Sequence, residues 1–520
     1  MIIINSGAYV IPELQAELGR IPPCMLPVGN RKLIEHQIHE LRKQHRLEKI
    51  YVTLPESYCL SLSEQRLLDA LDVQPIATRD DFSLAEAILF ALNTCDIDTH
   101  GVIRLVHGDT LIMNLPSPIP DHALGVAYCS DDYDWQMEYT DREGALVWCG
   151  LFSFRHRHDL IQTLALSRGN FVQAVQDYRR RHPIQLLQLD HWHDLGHVNT
   201  YFRSRAAVTT QRAFNTLQVV QGVVHKTGEP DIKIQAEGNW FDRLPVRLRR
   251  FIPQLIDKGI NHTGQSYYQL EYLPIMPLNE LFVHGRNSAS EWRRLFELID
   301  RFLQLCAIED TSVETRALIG ADFKQLITQK TQQRLKQYSN STGFDLTHPM
   351  QYAEHHLPSI QQIAYVCIER TLKLNEFPAV IHGDLGFSNV LFDSRADQIK
   401  VIDPRGLTAQ AELSIYGDQK YDLAKLAHSV IGLYDFIIAG RYCLIEYDLY
   451  HVELNFELDE RINEIQKIFD QYEFGHSLTI AQIMPLVVLL FLSMLPLHQD
   501  RPDRQRAMLA NAVRLYLLTT

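Results

Sequence analysis

The 520-residue sequence predicts an α/β protein in two parts: a three-layer αβα half, then a half that runs from short strands into a large helical region. Three patterns predict this. Over residues 1–205 short apolar runs alternate with amphipathic stretches, the pattern of a parallel sheet covered by helices on both faces. From Gln211 the runs shorten and cluster around glycines, as strands do, and over 287–378 apolar residues recur at helical spacing. A chain of this length exceeds a single core and predicts about two to four domains. The boundaries fall at 1–205, 206–285 and 286–520, with the first junction at Arg203–Thr210.

Bulk properties narrow the function classes. The apolar share of 46% and charged share of 22% are those of a globular protein. A net charge of −13 argues against a nucleic-acid grip, which needs a basic footprint, and leaves nucleotide binding open. The eight cysteines include no Cys-x-x-Cys pair, so neither a zinc site nor a disulfide framework is expected. Reduced thiols in a cytoplasmic protein are the expectation. The start, Met-Ile-Ile-Ile-Asn-Ser-Gly, has no basic flank and does not read as a secretory leader. The longest apolar run, Met484–Leu497, contains two prolines. It is shorter than the roughly 20 residues a membrane span needs, so it reads as a core helix.

In the first part, Ile2–Ile4 reads as a strand, Leu33–Gln44 as a helix and Ile50–Leu54 as a strand. Leu84–Leu92 reads as a helix and Gly101–Val106 as a strand. Ligands of such sheets bind beyond the carboxyl ends of the strands, which puts Asn5-Ser6-Gly7 and His107-Gly108-Asp109 at a candidate site. The segment Pro22-Pro23-Cys24-Met25-Leu26-Pro27-Val28, followed by Leu33-Ile34-Glu35-His36, resembles the sugar-phosphate nucleotidyltransferases. Gly108-Asp109, Gly150–Phe154 and Trp192–Gly196 extend the resemblance over roughly the first 200 residues. It implies a Rossmann-like fold in which Asp109 and Asp194 bind a metal that bridges nucleotide and sugar-phosphate groups, with CTP or UTP as the nucleotide. Two carboxylates suit magnesium. The sequence also departs from that family. The loop Ser6–Glu13 has one glycine and no basic residue, and Pro23 stands where the family has a lysine. Arg20, Arg31 and Lys32 are the nearby cations. An active transferase and a ligand-binding or scaffolding domain both remain open.

In the second part, Leu217–Gln221 and Val223–Lys226 read as a hairpin around Gly222. The following Ile232–Phe241 turns helical. A strand lysine followed by a helical glutamate is how phosphotransferases hold a phosphate-binding lysine, and the candidates are Lys226 and Glu237, with Lys233 as the alternative cation. Arg212–Thr216 stands where protein kinases carry a glycine-rich loop. Gln269–Leu273, with Glu271 at its centre, reads as a strand feeding a linker, the place where a hinge receives adenine. Trp292–Ile308 reads as an amphipathic helix and Lys330–Leu335 as a solvated helix face. Tyr338–Pro349 reads as a surface loop, and 436–520 as almost entirely helix with acidic patches such as Glu453–Glu464. His355-His356 and the His191/His193 pair read as ordinary surface or core residues rather than metal ligands.

The densest chemistry lies in 380–406. His382-Gly383-Asp384 precedes Asn389 by the His-x-Asp-x-x-x-x-Asn spacing of a phosphotransferase catalytic loop, and Asp403 closes the next apolar run. Phosphoryl transfer needs positioning and charge neutralisation rather than a covalent nucleophile, which fits these residue types. With Tyr421-Asp422-Leu423-Ala424-Lys425 downstream, residues 211–520 resemble the aminoglycoside phosphotransferase and choline kinase group. The resemblance implies a bilobal, protein-kinase-like fold. It makes Asp384 the catalytic base, gives Asn389 and Asp403 a magnesium ion, and leaves His382 and Asp422 to support the loop. Pro404-Arg405-Gly406 and the Tyr421–Asp435 run resemble kinase domains found beside nucleotidyltransferase domains in bacterial capsule or surface-polysaccharide pathways, with Arg405 as a possible contact to an anionic group of the acceptor. The expected function is phosphorylation by Mg-ATP of a small-molecule hydroxyl, on a sugar or amino alcohol, followed by binding or CTP/UTP activation of the product in the first part. The alternatives are a kinase with an inactive first part and a non-catalytic assembly or regulatory protein. The acceptor and the oligomeric state are not legible.

Overall fold

A computed structural model describes the chain except for residues 96–100, 130, 132, 142–143, 210, 213–214, 309–311, 476–477 and 520. Ala213 and Phe214, in the stretch that replaces a glycine-rich loop, and Thr210 at the predicted junction lie outside the described residues. The chain forms two compact units, Met1–Thr209 with His284–Arg286, and Thr210–Val283 with Asn287–Thr520.

The first unit is built on an eight-stranded, parallel-rich sheet. Strand Ile2–Asn5 lies at its centre between Ile50–Pro55 and Ile103–His107, parallel to both. Its Ile2, Ile3 and Ile4 are fully buried, as a central strand covered on both faces requires. Strand Val73–Thr78 extends the parallel part beyond Ile50–Pro55. The long strand Gly144–Phe154 departs from the all-parallel expectation: it pairs antiparallel with Ile103–His107 and with Ala123–Cys129. Helices Leu33–Arg42, Leu62–Ala70, Leu84–Thr94, Arg157–Leu166 and Phe171–Arg181 belong to the same unit. Ser61 with Glu64 and Ser83 with Glu86 form capping boxes that satisfy the first free N–H groups of their helices. Phe152, Phe154, Phe171 and Tyr178 pack with Leu105 and Leu124 in the core.

The second unit has two lobes. In the smaller, strands Asn215–Val220, Val223–Gly228, Ser266–Glu271 and Leu255–Ile260 form an antiparallel sheet with the short Gln211–Arg212. Gln221 and Gly222 both take positive φ, +49° and +78°, which is the two-residue turn that matches strand twist in a hairpin. Helix Asp231–Arg243 packs on this sheet. The larger lobe contains helices Ala289–Cys306, Val313–Thr342, Ile360–Leu372, Lys420–Val430, Glu460–Asp470, Ile480–Met494 and Pro502–Leu517. The segment that carries Asp384 and Asn389 runs from the short strand Pro378–Val380 into the hairpin Val390–Asp393/Gln398–Val401.

Two local expectations are corrected here. The Ser-Asn-Ser-Thr run after Tyr338 is the last turn of helix Val313–Thr342, which ends at Gly343 in the left-handed conformation (φ +74°), so the predicted loop is shorter. Strands Pro349–Tyr352 and His355–Ser359 pair next to His451–Asn455 and Cys443–Glu446, so the region after 436 is not all helix and Glu453 lies on a strand. Helix Ile480–Met494 with its 3₁₀ extension to His498 is apolar and long enough to cross a membrane by composition, yet 72% of its most apolar stretch is buried among neighbouring helices.

Candidate functional site

The segment that carries Asp384 is held by one aspartate. Asp422, in the first turn of helix Lys420–Val430, accepts the N–H groups of His382 and Gly383, each at 2.7 Å. It is 1% exposed, and burial pushes its carboxyl up to about 6. The His382 ring is fully buried, with Nδ1 accepting the Asp384 N–H at 3.3 Å and Nε2 2.8 Å from the Ile402 carbonyl. Those partners fix the neutral ring with its proton on Nε2, and burial lowers its pKa to about 4. A buried neutral imidazole of this kind ties the Asp384 and Asp403 segments together.

Gly383 has φ +76°, and a Cβ built there would lie 2.8 Å from the Arg405 Cβ. Arg405 in turn donates its backbone N–H to the His382 carbonyl at 2.8 Å. The small residue is therefore required by the local packing as well as by the backbone angle.

The Asp384 side chain is 46% exposed. Lys425 places its Nζ 2.7 Å from Asp384 Oδ1, and Asn389 Nδ2 donates to Oδ2 at 3.1 Å and to the Asp384 carbonyl at 2.8 Å. Burial works against ionisation of this carboxyl, but the Lys425 ammonium outweighs it and brings the pKa down to about 2. The hairpin pairs Val390 with Val401, and the Ile402 N–H donates to the Asn389 carbonyl at 3.0 Å, which sets Asn389 one residue away from Asp403 across the turn.

From the other lobe, Lys226 on strand Val223–Gly228 reaches Glu237 Oε2 at 2.6 Å and Asp403 Oδ1 at 2.9 Å. Tyr268, its register partner on the adjacent strand, donates its hydroxyl to Glu237 Oε2 at 2.7 Å. Lys226 and Glu237 are 2% and 1% exposed. Burial disfavours the Lys226 ammonium, but Asp403 and Glu237 more than compensate and raise its pKa. Lys233, the alternative cation, is half exposed and 3.7 Å from Glu237 Oε1. The structure thus gathers Lys226, Glu237, Asp384, Asn389, Asp403, His382, Asp422 and Arg405 around one segment. It does not bring the Glu271 side chain there: Glu271 is exposed and accepts the Gln254 N–H at 3.3 Å. Asn389 and Asp403 offer amide and carboxylate oxygens, the donors a magnesium ion takes.

Three contributors escaped the sequence reading. Lys425 stands three residues after Asp422 on the same helix, and that spacing sends both side chains to one face. Lys330 and Arg334 were expected on a solvated face, yet both are half-buried, and Arg334 donates to the Ser493 carbonyl at 2.7 Å.

In the first unit the strand Trp192–Asp194 pairs antiparallel with Thr110–Ile112, which brings Asp194 beside Thr110 and so close to Asp109. Asp194 accepts from His197 Nδ1 at 2.9 Å and from the Thr200 hydroxyl. Gly196 lies between the two aspartates: its N–H donates to Asp194 Oδ1 at 3.4 Å, and a Cβ there would lie 2.5 Å from Asp109 Oδ2. Burial first, and then Asp194, push the Asp109 carboxyl up to about 6. Two facing carboxylates that resist joint ionisation suit a divalent cation. Among the described residues, no three His, Cys, Asp or Glu side chains are grouped to hold a metal. The signature-loop position is pinned rather than open. The Ser6 N–H donates to Thr53 Oγ1 at 2.9 Å, and the Ser6 hydroxyl accepts the Cys24 N–H at 3.0 Å. Of the nearby cations, Lys32 is buried 2.8 Å from Glu64, Arg20 sits over the Tyr9 ring at 4.0 Å, and Arg31 is exposed.

No protein-family model matches the chain, and no curated protein matches it. Solved structures do. The nucleoside-diphosphate-sugar pyrophosphorylase of Vibrio cholerae is 16% identical over 39% of this chain and 99% of its own, with a TM-score of 0.32. The GDP complex of aminoglycoside 2'-phosphotransferase-IIIa is 14% identical over 60% of this chain and 91% of its own, with a TM-score of 0.36. A choline/ethanolamine kinase family protein from Mesorhizobium loti is 12% identical over 59% of this chain and 86% of its own, with a TM-score of 0.35. The first two-fifths of the chain is thus similar to nucleotidyltransferases, and the remainder to aminoglycoside and choline kinases.

Proposed function

We propose that the second unit transfers the γ-phosphoryl group of ATP to a hydroxyl of a small molecule, and that the first unit binds the phosphorylated product and activates it with CTP or UTP. The observation that carries the kinase reading is Lys226, which bridges Glu237 and Asp403 across 177 residues of sequence, next to Asp384 and Asn389. In the reaction the acceptor oxygen forms a bond to the γ-phosphorus while the bond to the β,γ-bridging oxygen breaks. The hydroxyl proton passes to Asp384, and ADP leaves. Lys425 keeps Asp384 ionised and Asn389 orients its second oxygen, so the base is aimed before the acceptor arrives. Lys226, braced by Glu237 and Tyr268, meets the nucleotide phosphates. Asn389 and Asp403 would hold magnesium, which neutralises charge on the transferring phosphoryl group when bound.

The pairing of activities has a chemical logic, since a kinase makes the phosphomonoester that a nucleotidyltransferase consumes. Synthesis of an activated precursor for a surface polysaccharide, in the cytoplasm, fits that sequence. A second reading is favoured by one observation: Lys32 is committed to Glu64, and the Ser6–Glu13 loop carries no cation, so the first unit would bind a nucleotide sugar without catalysis. ATP-to-ADP conversion with sugars and other alcohols, abolished in Asp384→Asn, is the result expected of the kinase. Conversion that survives in Asp384→Asn would overturn it. Pyrophosphate release from CTP or UTP with phosphorylated acceptors, lost in Asp109→Asn, separates the active first unit from the binding one.

A further inference from the structure

Three structural elements bring cations to one tyrosine beside Asp384. Arg405 leaves the catalytic segment and sets its guanidinium 4.9 Å from the centre of the Tyr421 ring. Its Nη1 is buried and has no hydrogen-bond partner among the described residues. Lys425, one helical turn beyond Tyr421, is the partner of Asp384. Helix Val313–Thr342 adds Lys330, within electrostatic reach of Tyr421, Arg405 and Lys425, and Arg334 one turn further on. Of the carboxylates nearby, Asp384 is paired with Lys425 and Asp422 holds two backbone N–H groups. Asp435 takes a bond from Ser429, and burial pushes its carboxyl up to about 6.

The surplus of positive charge shows in the groups themselves. Burial alone would raise the Tyr421 phenol, yet Lys330, Arg405 and Lys425 bring it below its ordinary value. Tyr421 favours the charged form of Lys330, but burial and the neighbouring cations still depress it. Like charges gathered in a half-buried place, short of counter-ions, are a site that an anion completes.

We infer that the acceptor carries an oxyanion, a carboxylate or a phosphate, which Lys330 and Arg405 receive while the neighbouring hydroxyl faces Asp384. This rests on the kinase reading of the same segment, and it selects sugar acids, hydroxy acids or sugar phosphates over amino alcohols. A protonated amine there would meet the cations Lys330, Arg334, Arg405 and Lys425, with Asp384 already paired.

The test uses the full-length chain with Mg-ATP and hydroxyl compounds pooled by charge as neutral, ammonium, carboxylate and phosphate. ADP release concentrated in the carboxylate or the phosphate pool is expected, and the two pools tell the sources apart. In Lys330→Met and Arg405→Gln the acceptor KM should rise about 10- to 100-fold, the loss of one charged hydrogen bond, with the ATP KM unchanged. Turnover confined to neutral or ammonium acceptors overturns the inference and leaves the kinase standing. A rise in the ATP KM in place of the acceptor KM also overturns it, because the cations then serve the nucleotide. Thermal shift with inorganic phosphate and with acetate as probes reads the site without chemistry. A shift present in the native chain and lost in both variants supports the inference. An equal shift in all three proteins overturns it, whether or not turnover is found.

Discussion

Replacing Lys425 by methionine keeps the length of the side chain and removes the charge 2.7 Å from Asp384. Lys425, working against burial, holds the Asp384 carboxyl at about 2 instead of its ordinary 3.8. The folded-state value lies below the unfolded one, so the pair contributes stability that is fully present above pH 3.8 and is lost as pH falls through about 2. That lowering corresponds to about 2.5 kcal/mol at about 1.4 kcal/mol per unit. With Asp384 46% exposed, water screens the pair, and the expected loss at neutral pH is about 1 kcal/mol. The larger effect falls on activity. Without Lys425, burial loses its main opponent and the carboxyl titrates higher, towards the range a pH–rate profile samples. ADP release measured from about pH 5 to about pH 8 should show a new acid limb in the variant that the native chain lacks. Urea unfolding at neutral pH reads the stability term. A variant with an unaltered acid limb would refute the argument that Lys425 sets the charge of Asp384.

Lys226→Met leaves Glu237, 1% exposed, with only the half-exposed Lys233 at 3.7 Å as a cation, and should cost about 3 kcal/mol in urea unfolding. Tyr268→Phe removes one hydrogen bond to the same carboxylate and should cost only about 1 kcal/mol, so equal losses in the two variants would contradict the bridge. Gly383→Ala forces a side chain into φ +76° and against Arg405, and should lower stability by about 1–2 kcal/mol or more while suppressing ADP release. For Asp422 the sign reverses. Its folded-state value of about 6 lies above 3.8, so its contribution is present below pH 3.8 and is lost as pH rises through about 6. Asp422→Asn should remove that part of the pH dependence of unfolding, and a profile identical to the native one would refute the assignment.

What the sequence made legible was what local chemistry specifies. Ile2–Ile4 is wholly apolar because it must be, and Gly222 announces its turn as a residue that takes positive φ freely. The spacing within His382–Asn389 survives because one loop supplies both side chains. Other features depended on tertiary context. The serine- and asparagine-rich run after Tyr338 has weak helix propensity, but it continues a 30-residue helix that a glycine then stops. Cys443–Glu446 and His451–Asn455 carry mixed residues whose pairing is decided by a neighbouring strand far away in sequence. Lys330 and Arg334 looked like ordinary surface charges because nothing in their own helix reports Arg405, Tyr421 or Lys425, which arrive from elsewhere in the chain.

Gly406 stands three residues beyond Asp403, with φ +63°, and a Cβ there would run into the carbonyl of Ala236, the residue before Glu237. The helix that carries Glu237 is therefore seated directly on the backbone that carries Asp403. In many phosphotransferases the equivalent helix swings out to silence the enzyme. Here such a swing would have to open a close backbone contact and the Lys226 bridge together. The two lobes of the second unit are thus joined at this point by a close backbone contact and an ion pair that would have to break together.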